Sequence, residues 1–338
     1  MNKQRLIDIL KTPSPSGNEF ILGRKIMKEM EKEGIATTFD SMGSIISTIN
    51  TDQSFKIMMM AHMDEISLMI VGKNSDGTLR VLKNGGINPN LYLFHRVRII
   101  LEENKELYGV VISSKSSDLK DTDLAIDLGT KDEKLLDTLI GKYAIIDTSF
   151  HELQDDYFTS RALDDRLGVF IINEVLSNLK NEKLNKQVIS VNSVGEETTR
   201  RGANVSSNII KPNLAIVVDV TYTSDYPNAK TTCNVSLNKG GVICYSSTIN
   251  NKLNELMIKT CEKHDIPYQK EAFPGSTYTD GDSIYIKDSG IPLLLVSIPL
   301  RYMHSPSEVA NFNDVNNIIK MITEFIKDFD INTNLLPY

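Results

Sequence analysis

Four apolar runs in this chain each lead into a residue that can ligate a metal ion. Ile57-Met-Met-Met-Ala61 ends at His62, and Val188 to Val194 runs into Gly195-Glu196-Glu197. Leu214-Ala-Ile-Val-Val218 ends at Asp219, and Pro292 to Ile298 is followed by a loop carrying His304. Short continuous apolar runs read as strands covered on both faces. Helical spacing appears between them, at Leu167, Phe170, Ile171, Val175 and Leu179 and again at Leu253, Leu256, Met257 and Thr260. The alternation predicts an α/β fold: a three-layer αβα domain with a mixed sheet. Ligands of open α/β sheets gather beyond the carboxyl ends of the strands, so the four run ends predict one cleft built from distant parts of the chain.

The texture changes from about Ile70 to about Tyr157. Asp76-Gly77 is a hairpin signal, and Arg96 to Leu101 and Leu107 to Ile112 flank a polar turn. Only a short helical pattern, near Lys131 to Leu139, interrupts this stretch. We read residues 70–157 as a smaller β-rich unit inserted into the larger domain, which comprises residues 1–69 and 158–338. A closing amphipathic helix follows from Val315, Ile318, Ile322, Phe325 and Phe329, with Asn313 or Asp314 as its cap.

Composition narrows the function classes. A chain with 41% hydrophobic and 24% charged residues can bury a sizeable core. Its net charge of -7 argues against a nucleic-acid surface and against a polybasic membrane patch. No apolar run approaches the roughly 20 residues that span a bilayer. Cys233, Cys244 and Cys261 form no CxxC pair, so neither a disulfide framework nor a zinc ribbon is expected, and a cytoplasmic setting is. Walker, GxGxxG, GxSxG and HExxH patterns are all missing from the sequence.

The chemistry therefore rests on the His and acidic groups. His62 and Asp64 are two apart, so in an extended segment both point to one side and Asp64 can fix the His62 ring. Asp164-Asp165 precedes a helix, where capping alone accounts for acids, but one carboxylate can also bridge two cations. Glu196 and Glu197 point in different directions after a strand, so one can bind metal while the other faces a reacting water. Asp219, at the inner end of an apolar strand, needs a partner or a cation to be buried. Two histidines and several carboxylates at separate strand ends fit a two-metal hydrolytic site.

The chain resembles the M42 metallo-aminopeptidases, the glutamyl, deblocking and tetrahedral group. The matching stretches are Ala61-His-Met-Asp-Glu-Ile66, Ala162-Leu-Asp-Asp-Arg-Leu-Gly168, Glu196-Glu197 with Arg201-Gly-Ala203, Asp219-Val-Thr221 and Arg301-Tyr-Met-His-Ser305. Weaker similarity at Ser14 to Gly17 and Thr279 to Gly281 extends it over almost the whole chain. The resemblance implies two divalent metal ions (zinc, cobalt or manganese), with His62 and Asp219 holding one, Glu197 and His304 the other, and Asp164 bridging. It implies that Glu196 is the general base and that Asp64 orients His62. It further implies a peptide substrate, a dimerisation role for the inserted unit, and a homodimer or a dimer-built homododecamer.

Some positions depart from the family pattern. Gly195 stands where Gln is expected, Thr198-Thr-Arg200 where Val-Gly-Leu is expected, Ser44 where Asn is expected and Ser67 where Gly is expected. These changes flank the cleft and leave every expected ligand in place. Two other readings compete with the aminopeptidase. One is a related metal-dependent amidase acting on acyl-amino acids, and the other is a non-catalytic assembly protein on the same fold.

Overall fold

The computed structural model describes every residue except 103–104, 228, 230, 232 and 337–338. Its centre is an eight-stranded mixed sheet. Four neighbouring strands at the heart of it are parallel: Gln187–Ser193, Lys56–His62, Leu214–Tyr222 and Leu293–Leu300. Ile45–Ile49 and Ala36–Phe39 extend one edge antiparallel, and Gly241–Tyr245 with Tyr268–Ala272 extends the other.

Both faces of the sheet are covered, which is why its strands read as unbroken apolar runs. Along Lys56–His62, Ile57, Met59 and Ala61 pack into one core with the helices Leu163–Leu179 and Phe312–Asp328. Met58 and Met60 point the other way, into a second core with Ala203 and Ile210 of the Arg201–Ile210 helix. The Leu163–Leu179 helix is apolar around most of its circumference and almost wholly buried, as its central place requires. The fold is thus three-layered. Among the described residues no helix is long and apolar enough to cross a membrane.

Six strands between Ser67 and Ile146 close into a small barrel with its own core, which includes Leu68, Ile70, Val81, Val97, Ile99 and Val111. Asp76-Gly77 turns the hairpin between Ser67–Lys73 and Leu79–Asn84. Residues 151–160 do not join the barrel. His151–Glu152 pairs with Tyr157–Ser160, which pairs in turn with Glu308–Asn311, just after the His304 loop.

The cap expected at Asn313 or Asp314 is Asn311 instead. Its side chain accepts from the Asn313 N–H at 2.8 Å, so the helix starts earlier, at Phe312. Asp314 is drawn off to accept the N–H groups of Asn238 (2.6 Å) and Gly240 (2.7 Å).

One buried ion cluster ties the N-terminal loop to the sheet. Glu65, three residues beyond the Lys56–His62 strand, accepts from the Ser14 N–H at 2.9 Å and from Arg166 at 2.7 Å, and it pairs with Arg161. All three charged residues are buried. Removing the carboxylate leaves two guanidinium groups uncompensated. Glu65→Ala is therefore expected to cost about 3–5 kcal/mol of stability, read from the urea midpoint. A loss under about 1 kcal/mol would show that this pairing behaves like an exposed one.

Candidate metal centre

The four parallel strands deliver their side chains to one end of the sheet. Ser193 is the register partner of His62, so the turn carrying Glu196 and Glu197 begins beside the histidine. Asp219 lies in the adjoining strand, and His304 follows the next one. The N-terminus of the Leu163–Leu179 helix supplies Asp164 and Asp165, both with non-helical backbone angles. Ala162, Arg200, Tyr302 and His304 have φ of 53°, 52°, 61° and 59°. Left-handed φ is costly for residues with a Cβ and tends to cluster at functional sites.

Every anticipated ligand converges here. Asp164 sits between the two histidines, with Oδ1 at 3.1 Å from His62 Nε2 and Oδ2 at 3.0 Å from His304 Nε2. Asp219 Oδ1 is 3.9 Å from the same His62 nitrogen, and Glu197 Oε1 is 3.4 Å from His304 Nε2. Two groups bring one ligand atom per residue within 4.8 Å of one another: His62 with Asp164 and Glu197, and His62 with Asp165 and Asp219. Asp64 Oδ1 is 3.5 Å from His62 Nδ1. Its two oxygens also accept the N–H groups of Glu196 (3.0 Å) and Glu197 (3.2 Å), and its backbone carbonyl lies 3.3 Å from His62 Nδ1, so one residue contacts both the histidine and the glutamate turn.

The electrostatics fit a cation site. Burial and the charge on Asp164 push Asp219 up to about 8, although His62 opposes this. Burial works against a charged His304, yet Asp164 and Glu197 push it up to about 12. Burial, together with Asp219, Asp280 and Glu197, raises Glu196 well above the usual glutamate range. Among the described residues, apart from Arg200 beside Glu196, the groups at the centre can balance these carboxylates only by holding protons. Divalent ions ligated by two imidazoles and several carboxylates would balance them directly, and this donor set suits zinc, cobalt or manganese.

Several site residues escaped the sequence reading. Glu308 is buried and accepts from the backbone N–H of His304 at 2.8 Å and of Asp164 at 3.2 Å. Its only trace in the sequence is an acid four places after His304. Gly86, next to the barrel, accepts from His304 Nδ1 at 2.9 Å through its carbonyl. A Cβ there would lie 2.6 Å from that nitrogen, so the close approach requires glycine. Asp165, recognised only as a neighbour of Asp164, accepts from the His62 N–H at 3.2 Å. Arg200 Nε lies 3.1 Å from Glu196 Oε1, and Arg200 Nη1 lies 3.4 Å from Asp282.

Known proteins resemble this chain along nearly its whole length. The family described as M42 glutamyl aminopeptidase matches residues 43–321. The lysyl aminopeptidase of Pyrococcus furiosus is 30% identical, with 95% of each chain covered. Among solved structures, the aminopeptidase APDkam598 of the archaeon Desulfurococcus kamchatkensis superposes with a TM-score of 0.89 at 30% identity, covering 97% of this chain and 96% of that one. The TET1 peptidase of Pyrococcus horikoshii gives 0.85 at 27% identity, covering 97% and 99%.

Glu308 yields a test that leaves every proposed ligand intact. Glu308→Ala frees the backbone of both His304 and Asp164, so divalent-ion affinity is expected to fall by about 10–100-fold. Competition against a chromophoric chelator reads this directly. Unchanged affinity would show that the two backbones hold their positions without it.

Proposed function

We propose that this chain, which belongs to the M42 glutamyl aminopeptidase family and is therefore a peptide-bond hydrolase, is a dinuclear metal-dependent enzyme that releases N-terminal residues from short peptides. The observation that carries the reading is Asp164, whose two oxygens each face a different histidine. In this proposal His62 and Asp219 would hold one ion and Glu197 and His304 the other, with Asp164 as the ligand that would be shared between them. The ions, when bound, supply Lewis-acid polarisation of the scissile carbonyl and increase the acidity of a water molecule.

The chain's own residues do the rest. Glu196 accepts the proton of the attacking water and returns it to the departing amine. Arg200 holds its Oε1, fixing the carboxylate's direction. Asp64 holds the His62 ring and, through two N–H groups, the turn that carries Glu196. A cleft of about 570 Å³ opens onto His62, Asp164, Glu196 and His304, enough room for a short peptide. The relatives act on different N-terminal residues by name, lysyl in Pyrococcus furiosus and glutamyl in Lactococcus lactis, so family membership alone does not fix the side chain preferred here.

We also propose that the chain assembles through its barrel as a homodimer or as a homododecamer built from dimers. Phe94, Tyr108 and Val110 of that unit are exposed, and the TET1 peptidase can assemble into a tetrahedron or a large octahedral shell. Light scattering is expected to give a mass of two or twelve chains. A single-chain mass would overturn the assembly.

Glu196→Gln is expected to lower kcat by roughly 10²–10⁴-fold while metal affinity persists. Metal-stripped protein resupplied with zinc, cobalt or manganese should cleave free peptides and leave N-acetylated ones intact. Cleavage of acetylated peptides alone would replace the reading with an amidase, and full turnover by the Gln variant would remove Glu196 from its role.

A further inference from the structure

The Tyr268–Ala272 strand at the sheet edge buries one residue, and that residue is a glutamate. Charged side chains are seldom so deep without a partner of opposite sign. Glu271 is 4% exposed. Its partners are two hydroxyls: Thr221 donates to Oε2 at 2.6 Å and Ser297 to Oε1 at 2.7 Å. Among the described residues no Lys, Arg or His forms an ion pair with it. An ionised carboxylate has about four acceptor positions, so two hydroxyls leave room for a further donor.

The carboxylate belongs to the same cleft as the metal centre, and the mechanism does not use it. Thr221 follows Asp219 by two residues, so both leave the same face of the strand, roughly 7 Å apart along it. Ser297, the second hydroxyl, is the register partner of Asp219. Glu271 is thus held one short step from a proposed ligand, a distance that a four-carbon ammonium stem can span. Phe273, Leu295 and Met303 also line the cleft and offer apolar surface to such a stem. The cleft's one arginine among the described residues, Arg200, is engaged by Glu196 and Asp282 and so is not free to receive an acidic side chain.

We propose that Glu271 anchors the side chain of the substrate's N-terminal residue, and that the enzyme prefers lysine or arginine there. The inference rests on the aminopeptidase reading and adds its substrate class. Burial favours the neutral form of Glu271, Thr221 and Ser297 oppose this and hold the carboxyl in place, and the incoming ammonium or guanidinium supplies the counter-charge that favours the ionised form.

The test compares kcat/KM for lysyl and norleucyl anilides, which differ by the charge at the end of a similar stem, with leucyl and glutamyl anilides alongside. Native enzyme is expected to favour lysyl over norleucyl on the order of 10- to 100-fold. Glu271→Gln, close in shape and able to keep both contacts, with one hydroxyl donating to its amide oxygen and the other accepting from its amide nitrogen, is expected to bring that ratio near unity. Free L-lysine should also inhibit native enzyme more strongly than free L-norleucine, a comparison that needs no variant. Equal or better turnover of norleucyl or glutamyl substrates by native enzyme overturns the inference and leaves the aminopeptidase standing. An unchanged lysyl preference in Glu271→Gln also overturns it. Failure to cleave any free N-terminal substrate removes the aminopeptidase reading, and this inference with it.

Discussion

The cleft concentrates buried negative charge in a place that water cannot readily screen. Asp64, Asp164, Asp165, Asp219, Glu308 and Asp280 are all buried around His62, with Glu197 beside them. A cluster of this kind survives only if something positive or protonated sits within it. The two histidines supply part of that balance, and their nitrogens lie on either side of Asp164. Much of the surrounding architecture serves to hold like charges in a fixed geometry. Glu308 holds the backbone at two of the positions, and Asp64 holds a third through the glutamate turn.

That geometry depends on the sheet being rigid and on the loops being tied down. Each of the four parallel strands is packed on both faces, so their ends are fixed relative to one another. The loops beyond them are pinned by buried polar contacts. Glu65 reaches the Ser14 loop and two arginines, and Gly86 brings the edge of the barrel onto His304. The barrel is therefore part of the site's construction, because the orientation of His304 is set from outside the three-layer domain.

The strands and their chemical ends were legible in the sequence because two independent signals coincide. Continuous apolar runs mark strands buried on both faces, and a polar residue that ends such a run must face a cleft or a partner. His62, Asp219 and the Glu196-Glu197 turn all satisfy both conditions. Glu308 and Gly86 satisfy neither. Glu308 acts on backbone N–H groups across a loop whose shape the sequence does not reveal, and Gly86 acts through a carbonyl that any residue possesses. The helix cap was misplaced for a related reason. Asp314 looks like a capping acid, but a tertiary contact with Asn238 and Gly240 claims it, leaving Asn311 to cap the helix.

The departures at Gly195, Thr198 and Arg200 make sense as a connected set. Gly195 has a left-handed φ of 69°, and the Arg201 guanidinium occupies the space that a Cβ would need. From there Arg201 reaches Glu19 at 2.5 Å, while Thr198 meets Ser16 at 2.9 Å. Both contacts join the glutamate turn to the N-terminal loop that Glu65 also anchors. On the other side of the turn, Arg200 links Glu196 to Asp282. Apolar residues at 198 and 200 could make neither polar contact. The turn is thus fastened from two directions by Thr198 and Arg200, and the carboxylate of Glu196, the base in the proposed reaction, lies between the fastenings. A glutamate acting as the proposed base needs a fixed orientation more than it needs any one neighbour. This sequence reaches that end with an ion pair at position 200 and a hydroxyl contact at position 198.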